Sequence, residues 1–445
     1  MDQLIRGAVV VTMDPARTIH PGADVLLRDG AIVAVGGDAA AQALPGALVI
    51  EAAGKALIPG LVQAHVHLCQ TLFRNLADGL ELLDWLRLRI WPLEAAHDER
   101  TIAISARLGI AELVRGGTTA ILDMGTARHT DAIFAVAEEA GFRLTGGKAH
   151  MDHGDGLPRG LREETGASLA EGEALCRRWH GRGLARYAFA PRFVLSCSDG
   201  LLAEVGQLAR SLGARLHTHA SENRGEGAAV RARFGLENVA VLHRFGLTGA
   251  DVALAHCVWP GEGERDLLRA TGTHVVHCPS SNLKLASGIA PIPEYLEAGI
   301  NVALGADGAP CNNGLDGFLE MRLAALLHKP RRGPAAMPGA RVLEMATLGG
   351  ARALGLDHVI GSIEPGKRAD LALVDLERAH CTPMGDDVCA AIVHSVQRSD
   401  VTDVWIDGRR VLRDRELVTL DEARIVAEAR EAARLVAGRA VARCG

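Results

Sequence analysis

Two histidines, His65 and His67, lie one residue apart in the segment LVQAHVH, which follows Pro59-Gly60 and has the apolar pattern of a short strand. Side chains of a strand alternate between its faces, so the two imidazoles point the same way. Such a pair can bind one cation from one side. Further titratable residues end other apolar runs in the same manner: His219 and Glu222, His256, His277, and Asp307.

These residues predict a metal centre. Four imidazoles and one carboxylate without a thiolate suit Zn²⁺, or another borderline divalent ion such as Fe²⁺. Binding to such an ion lowers the pKa of water from about 15.7 to about 7, or on the order of 12 kcal/mol. A positioned acid–base group contributes roughly 3–5 kcal/mol. Loss of a ligand should therefore reduce activity most. The predicted ligands are His65, His67, His219, His256 and Asp307.

The elements that position these residues alternate along the middle of the chain. Eight apolar runs that end in polar residues are each followed by a helical pattern, which predicts a (β/α)8 barrel over residues 58–355, with the site at the carboxyl ends of its strands. A doubly wound sheet would need a glycine-rich turn after the first strand, and HVHLCQ is not one. The runs are LVQAHVH, TTAILDMG, RLTGGKAHMD, RYAFAPRFVLSC, RLHTHASE, DVALAHCVW, HVVHCPSSN and NVALGADGAP.

The two ends of the chain predict a second domain. Residues 1–57 and 356–445 contain strand-like runs, with hairpin signals at Asp29-Gly30 and Asp407-Gly408. They predict a composite β-sandwich formed by both termini. The last segment predicts a helix that Thr419 and Glu422 begin as a capping box and Gly438 ends.

The composition narrows the class of protein. A net charge of −6 argues against a protein drawn as a whole to nucleic acid. No apolar stretch is long enough to cross a bilayer, and the start lacks the pattern of a secretory signal. Nine scattered cysteines without a Cys-x-x-Cys pair fit reduced thiols. We therefore expect a cytoplasmic enzyme with a small-molecule substrate, and a homodimer as the default for a soluble enzyme.

Other residues near strand ends have plainer interpretations. His217 precedes His219 by two residues on the same face, and we predict a buried, hydrogen-bonded core histidine there, with metal ligation as the less favoured alternative. The cysteines at strand ends are expected to be small buried residues, although ligation is open to them. They are Cys69, Cys197, Cys257, Cys278 and Cys311.

Nearly the whole chain resembles the amidohydrolase superfamily, in its deaminase and triazine-hydrolase branch. The motifs that carry the resemblance are PGLVQAHVH, HASEN, AHCVW, HCPSSNLKLASGIAP, LGADGAPCNN and GSIEPGKRADLALVDL. The resemblance implies a barrel with a composite sandwich, one metal, and hydrolytic removal of an amino group, or sometimes a halide, from a heterocycle. Relatives with two metals use a lysine on strand four. RYAFAPRFVLSC has none, and Lys148 lies on strand three, so one metal is expected.

The resemblance also implies roles for three residues. Asp307 accepts a proton from the attacking water, in addition to binding the metal. Glu222 protonates a ring nitrogen and then passes a proton to the leaving amine. His277 donates a hydrogen bond to the attacking oxygen and stabilises the tetrahedral intermediate. A solvated loop carboxylate is the weaker interpretation of Glu222.

Two branches of the superfamily compete for the substrate. Methylthioadenosine and S-adenosylhomocysteine deaminases share NLKL, DGA and NN with this chain, but tend to have glutamate where Asp84 precedes Trp85, and histidine where Arg192 lies. Guanine deaminases are similar around Arg192 and have a glutamine at the position of Gln70. Arg192 donates only, whereas Gln70 donates and accepts, so the pair could bind an oxo-bearing ring edge.

We therefore predict guanine, a pterin or a hydroxylated triazine as the substrate. The alternatives are deamination of methylthioadenosine, S-adenosylhomocysteine or deoxyadenosine, hydrolysis of an amino- or chloro-triazine, and, more remotely, a non-catalytic scaffold. Arg192 could instead form a structural salt bridge at the barrel rim, and Gln70 could simply begin a helix.

Overall fold

The computed structural model describes residues 2–444 and divides the chain into two compact units. The first unit comprises Met1–Gln63, Ala111–Ala120 and Asp316–Leu420. The second comprises Ala64–Ile110, Ile121–Leu315 and Asp421–Gly445. The predicted domain boundaries at residues 57/58 and 355/356 stay a prediction, because these compact units are divided at other residues.

The strands of the described residues form two sheets. In chain order they are β1 Gln3–Val11, β2 Ile19–Arg28, β3 Ala31–Val35, β4 Leu48–Glu51, β5 Lys55–Pro59, β6 Leu61–Val66, β7 Thr118–Thr126, β8 Arg143–His150, β9 Ala185–Pro191, β10 Arg215–Ala220, β11 Val252–His256, β12 His274–His277, β13 Val302–Leu304, β14 Leu371–Asp375, β15 Val401–Ile406, β16 Arg409–Arg413 and β17 Glu416–Leu417.

Helices connect most of these strands. The α-helices are α1 Leu82–Trp85, α2 Trp91–Ala95, α3 Glu99–Arg115, α4 Thr130–Ala140, α5 Thr165–Trp179, α6 Asp199–Ser211, α7 Arg224–Phe234, α8 Asn238–Arg244, α9 Glu264–Thr271, α10 Pro279–Lys284, α11 Ile292–Glu297, α12 Ala309–Asn312, α13 Gly317–Leu326, α14 Lys329–Arg332, α15 Gly339–Glu344, α16 Gly350–Leu354, α17 Val388–His394 and α18 Glu422–Cys444. Single 3-10 turns cover Leu68–Phe73, Val194–Ser196, Ala379–Cys381 and Arg398–Asp400, and π-helical turns cover Leu86–Ile90 and Met345–Gly349.

Strands β6 to β13 form one eight-stranded sheet in sequential order. The five strand pairs from β8 to β13 are parallel, and a bridge between Val66 and Asp307 brings the chain after β13 beside β6. Every residue of β7 and β8 is buried, as expected of barrel strands that are covered on both faces. The predicted (β/α)8 barrel is confirmed, and each of the eight apolar runs contains one of its strands.

The other sheet combines both ends of the chain. Its strand order is β17-β16-β15-β14-β5-β1-β2-β3, with β4 paired to β1. The two predicted hairpins are present: Asp29 and Gly30 have φ of 51° and 80°, and Asp407 and Gly408 have φ of 53° and 77°. Two successive positive φ angles give a turn whose twist matches that of the flanking strands. The prediction of a separate sheet built from the termini is therefore confirmed.

The C-terminal helix differs from its prediction. It begins at Glu422, and the Asp421 carboxylate, rather than Thr419, accepts the backbone N–H of Arg424. Gly438 lies inside the helix, which continues to Cys444 because one glycine costs only about 1 kcal/mol against many packed neighbours. The helix belongs to the second unit, where its buried side chains share an apolar cluster with Trp91 and other residues of α2, instead of joining the terminal sheet.

A π-helical turn separates α1 from α2. The backbone N–H of Trp91 donates to Leu86, five residues back, and Pro92 follows directly. Proline has no N–H, and its ring would clash with the carbonyl of Leu88 in a regular α-helix, so the turn widens there.

As for membranes, none of the helices within residues 2–444 combines the length and apolar character that a bilayer-spanning segment needs.

Candidate active site

The carboxyl ends of the barrel strands surround an opening that is lined by polar and apolar side chains. It combines imidazoles and carboxylates with an apolar wall, which is the usual make-up of a small-molecule site. The opening lies where a barrel enzyme carries its chemistry. Its lining residues are His67, Gln70, Leu82, Trp85, Leu86, Arg192, Phe193, His219, Glu222, Glu226, His256, Leu285 and Asp307.

Four predicted metal ligands converge in this opening. His65, His67, His219 and Asp307 each offer one ligand atom, and these atoms lie within 4.8 Å of one another. Asp307 Oδ1 lies 3.1 Å from His65 Nε2 and 3.3 Å from His67 Nε2. The bridge that closes the barrel explains the arrangement, because the Asp307 N–H donates to the His65 carbonyl oxygen at 3.0 Å.

The fifth predicted ligand, His256, lies at the edge of this group. Its Nε2 is 3.9 Å from Asp307 Oδ2 and 3.4 Å from Glu222 Oε2. Its Nδ1 donates to Asn282 Oδ1 at 2.9 Å, which fixes the ring with Nε2 toward the opening. His256 is thus placed next to both the metal group and the predicted acid–base residue.

Hydrogen bonds to Nδ1 orient the rings of His65 and His219. The Nδ1 of His65 is hydrogen-bonded to His217 Nε2 at 2.9 Å, so the predicted role of His217 as a buried, hydrogen-bonded histidine is confirmed. His219 Nδ1 donates to the Arg192 carbonyl oxygen at 2.6 Å. Because a carbonyl oxygen only accepts, His219 carries its proton on Nδ1 and keeps Nε2 as the ligand atom.

These donors fit a divalent cation. The Nε2 atoms of His67 and His219 face each other at 3.3 Å, and within the described residues the buried Nε2 atoms of His65 and His256 find no hydrogen-bond partner. Converging, unpaired acceptors in a buried site are costly unless a cation binds them. A set of imidazoles with one carboxylate is the donor chemistry of zinc and similar ions.

The charge states of these groups agree with ligation. Burial lowers the pKa of His65 to about 4 and holds the pKa of His219 well below its usual value, so both are neutral imidazoles. Burial alone would raise the pKa of Asp307, but His65 and His67 outweigh it, and that pKa lies well below the usual range. Asp307 is therefore an ionised carboxylate.

The backbone near these residues is strained. Ser221, His256, Cys257 and Asp307 have positive φ angles of 51°, 75°, 45° and 62°. Non-glycine residues seldom adopt this conformation, and each instance costs on the order of 1–3 kcal/mol. Of these four residues, His256 at the end of β11 and Asp307 after β13 line the opening, so the strained backbone carries two side chains of the site.

Glu222 lies beside the metal group and is buried. Burial is the main reason that its pKa is raised to about 7, and the nearby carboxylates of Asp307 and Glu226 add to the effect. Ser287 Oγ donates to its Oε1 at 3.3 Å, and its backbone N–H donates to Glu226 Oε2 at 2.7 Å. A carboxyl with this pKa can both give and take a proton near neutral pH.

The structure also locates His277 and a residue that the sequence analysis missed. His277 is fully buried at the end of β12. Asp123 lies in β7, where its Oδ1 accepts the Leu68 N–H at 2.8 Å, and burial raises its pKa to about 6. The rule that found the other residues, a titratable group late in an apolar run, also applies to TTAILDMG and would have found Asp123.

The residues predicted to bind substrate fall into two groups. Gln70, Trp85 and Arg192 line the opening, whereas Asp84 is exposed and does not line it. The position of Asp84 on α1, one residue before the buried Trp85, turns its side chain to solvent, so a substrate contact for Asp84 is not supported.

An unpredicted residue, Glu94 on α2, contacts both Gln70 and Arg192, which together form the polar wall of the opening. Its Oε2 accepts from Arg192 Nη1 at 2.7 Å, and its Oε1 accepts from Gln70 Nε2 at 2.8 Å. Both side chains of the ion pair are 4% exposed. The alternative prediction for Arg192, a salt bridge, therefore describes the contact that the structure contains.

Comparisons with known proteins agree with this geometry. The 5′-deoxyadenosine deaminase of Methanosarcina mazei is 40% identical over 437 residues, which cover 97% of this chain and 98% of that protein. The 5-methylthioadenosine/S-adenosylhomocysteine deaminase of Syntrophobacter fumaroxidans is 39% identical over 442 residues, or 98% of each chain.

Solved structures are similar as well. An adenosine deaminase from Xanthomonas campestris with bound Zn superposes with a TM-score of 0.92 at 37% identity, covering 98% of this chain and 99% of that one. The E. coli guanine deaminase has a TM-score of 0.84 at 26% identity and covers 92% of this chain and 99% of that one. The nucleoside deaminases are thus more similar to this chain than that guanine deaminase is.

The amidohydrolase family model matches residues 56–411, which include all the candidate site residues. The chain therefore belongs to the amidohydrolase family, and it is a metal-dependent deaminase that hydrolyses carbon–nitrogen bonds in cyclic amidines.

Proposed function

We propose that the protein removes the 6-amino group of the adenine ring in a 5′-modified adenosine, such as 5′-deoxyadenosine or 5′-methylthioadenosine. The observation that carries the proposal is about 40% identity over nearly the full length to deaminases of these nucleosides. The earlier preference for guanine depended on a free Arg192, and the Arg192–Glu94 ion pair weakens it.

The reaction adds water across a carbon–nitrogen double bond of the ring and expels ammonia. One divalent ion, with zinc favoured, would be held by His65, His67, His219, His256 and Asp307, and would make the attacking water more acidic. Asp307, as the ionised carboxylate of the group, is the residue placed to take the proton from that water.

Glu222 completes the proton transfers. Its carboxyl, raised in pKa to about 7, gives a proton to the ring nitrogen as the oxygen attacks the neighbouring carbon. The electron pair of the double bond moves to that nitrogen. Collapse of the tetrahedral carbon then forms the ring carbonyl and breaks the bond to the amino group, which leaves as ammonia after a second protonation. The proton taken up by Asp307 and the proton lost from the hydroxyl supply the leaving amine and restore the Glu222 carboxyl. His277 is the candidate to donate a hydrogen bond to the attacking oxygen.

Ammonia release from a panel of substrates tests the proposal. The zinc-loaded protein would be assayed with 5′-deoxyadenosine, 5′-methylthioadenosine, S-adenosylhomocysteine, guanine, a pterin and an amino-hydroxytriazine. We expect an adenosine derivative to exceed guanine by orders of magnitude in kcat/KM. A preference for guanine or another oxo-heterocycle would contradict it, and inactivity on every compound would favour the scaffold alternative.

Two broader expectations accompany the proposal. A homodimer and a cytoplasmic location remain predictions from the sequence. Gel filtration with light scattering would measure the first, and localisation of the tagged full-length protein would measure the second.

A further inference from the structure

Glu94 contacts both Gln70 and Arg192 but is not itself among the residues that line the opening. It projects from α2, while Gln70 comes from the 3-10 turn after β6, and Arg192 directly follows β9. All three residues are at most 6% exposed. One carboxylate therefore joins three separate segments of the barrel rim inside a dry environment.

The ion pair restricts what Arg192 can do. A guanidinium would be a strong donor to an oxo group of a ring, but its Nη1 is already 2.7 Å from Glu94 Oε2. Moving it to a substrate would leave the Glu94 charge buried and uncompensated, which proteins tolerate poorly. With Glu94 ionised, Nη1 stays with the carboxylate, and only the other N–H groups of this guanidinium, which lines the opening, are left for a substrate.

The same carboxylate sets the orientation of Gln70. An ionised carboxylate only accepts, so the amide must present Nε2 to Glu94, and Oε1 is the atom left over. Within the described residues, this buried Oε1 has no hydrogen-bond partner. Because Gln70 lines the opening, Oε1 rather than Nε2 is the amide atom left for a substrate, and an acceptor suits an amino-bearing ring edge better than an oxo-bearing one.

We propose that Glu94 is a positioning residue that determines ring specificity, by keeping Nη1 of Arg192 bound to its carboxylate and by fixing the orientation of the Gln70 amide. The choice of substrates for its test rests on the proposed function. The inference itself concerns the change in specificity when Glu94 is altered, whichever substrate the wild-type enzyme prefers.

The decisive measurement is the ratio of kcat/KM for 5′-deoxyadenosine to kcat/KM for guanine. Glu94→Gln keeps the shape of the side chain but removes its charge, which releases Arg192 toward an oxo group. We expect this ratio to fall at least about 10-fold. Equal losses on both substrates would mean a purely structural role and would overturn the inference.

A second variant identifies Arg192 as the mediator. Glu94→Gln/Arg192→Met removes both charges, and such neutral pairs are often well tolerated in protein interiors. The ratio should return toward the wild-type value, because no cationic donor remains. A ratio equal to that of Glu94→Gln alone would contradict the proposed mechanism.

Folding and metal content are measured for each variant by thermal unfolding and metal analysis. If Glu94→Gln does not fold, Glu94→Asp replaces it, since the shorter side chain loosens both contacts while keeping the charge, and a smaller shift of the ratio in the same direction is expected. A wild-type preference for guanine would refute the proposed function alone, whereas an unchanged ratio in these variants would refute the role of Glu94.

Discussion

The metal group and the polar wall share one opening but are constructed differently. His65 and His219 lie in strands β6 and β10, and His67 and Asp307 closely follow strands, so the hydrogen bonds of the barrel position them. Gln70 and Glu94 come from short helical turns, and their geometry depends on one another's side chains. The comparison suggests that the chemistry is a property of the scaffold, whereas the choice of substrate is a property of a small buried network that can change independently.

The largest effect should come from removing a metal ligand. His67→Ala is expected to reduce kcat by on the order of 10⁴-fold or more, because the metal supplies the larger share of the activation. Bound metal should also fall when measured by elemental analysis. His358→Ala, at an exposed histidine outside the opening, is the matched control. Full metal content in the His67 variant would remove His67 from the ligand set.

Loss of the acid–base residue should have the next largest effect. Glu222→Gln keeps the size of the side chain but cannot exchange a proton, and we expect kcat to fall by roughly 10²–10⁴-fold with bound metal unchanged. Steady-state kinetics and metal analysis measure the two quantities. A loss of metal together with activity would instead assign Glu222 to the metal group.

A change in the wall should have a smaller effect of a different kind. Gln70→Leu removes the acceptor and leaves Glu94 Oε1 without this donor, a change worth roughly 1–3 kcal/mol. We expect kcat/KM to fall about 10- to 100-fold, mostly through KM, while metal content stays the same. If metal content fell as well, the two regions would not be independent.

The smallest effect should come from Asp98, which follows α2, the helix that carries Glu94. Burial would raise the pKa of Asp98, but bonds from the Thr101 N–H and from Arg439 of α18 outweigh it and lower the pKa to about 2. The ionised form is therefore the stabilising one: its contribution is present above pH 4 and is lost as the pH falls toward 2. Because the pair is partly exposed, Asp98→Asn should cost less than about 1 kcal/mol. The difference in Tm from wild type should shrink between pH 7 and pH 3, and a constant difference would contradict this assignment.

The two regions also differ in how far the sequence predicts them. The barrel and the residues at its strand ends follow from apolar periodicity, because strand direction alone decides where His65, His67, His219 and Asp307 converge. Asp123 was open to the same reasoning. Glu94 was not, because nothing in IWPLEAAHDE shows which arginine its carboxylate will meet. The C-terminal helix was located in the sequence, but the apolar cluster that it joins was not, since an amphipathic pattern does not identify the surface that it packs on.

The π-helical turn before α2 changes the direction in which the following side chains point around the helix axis. Glu94 follows Leu86 by eight residues, which would separate their directions by about 80° in a regular helix at about 100° per residue. If the wide turn absorbs one residue, the angle falls to about 20°, so Glu94 lies on nearly the same side of the helix as Leu86, which lines the opening. Deletion of a single exposed residue there, such as Leu88, would rotate the carboxylate away from Arg192 without altering any side chain of the wall. For proteins of this fold, the length of that turn is thus a route by which specificity can change through insertion or deletion.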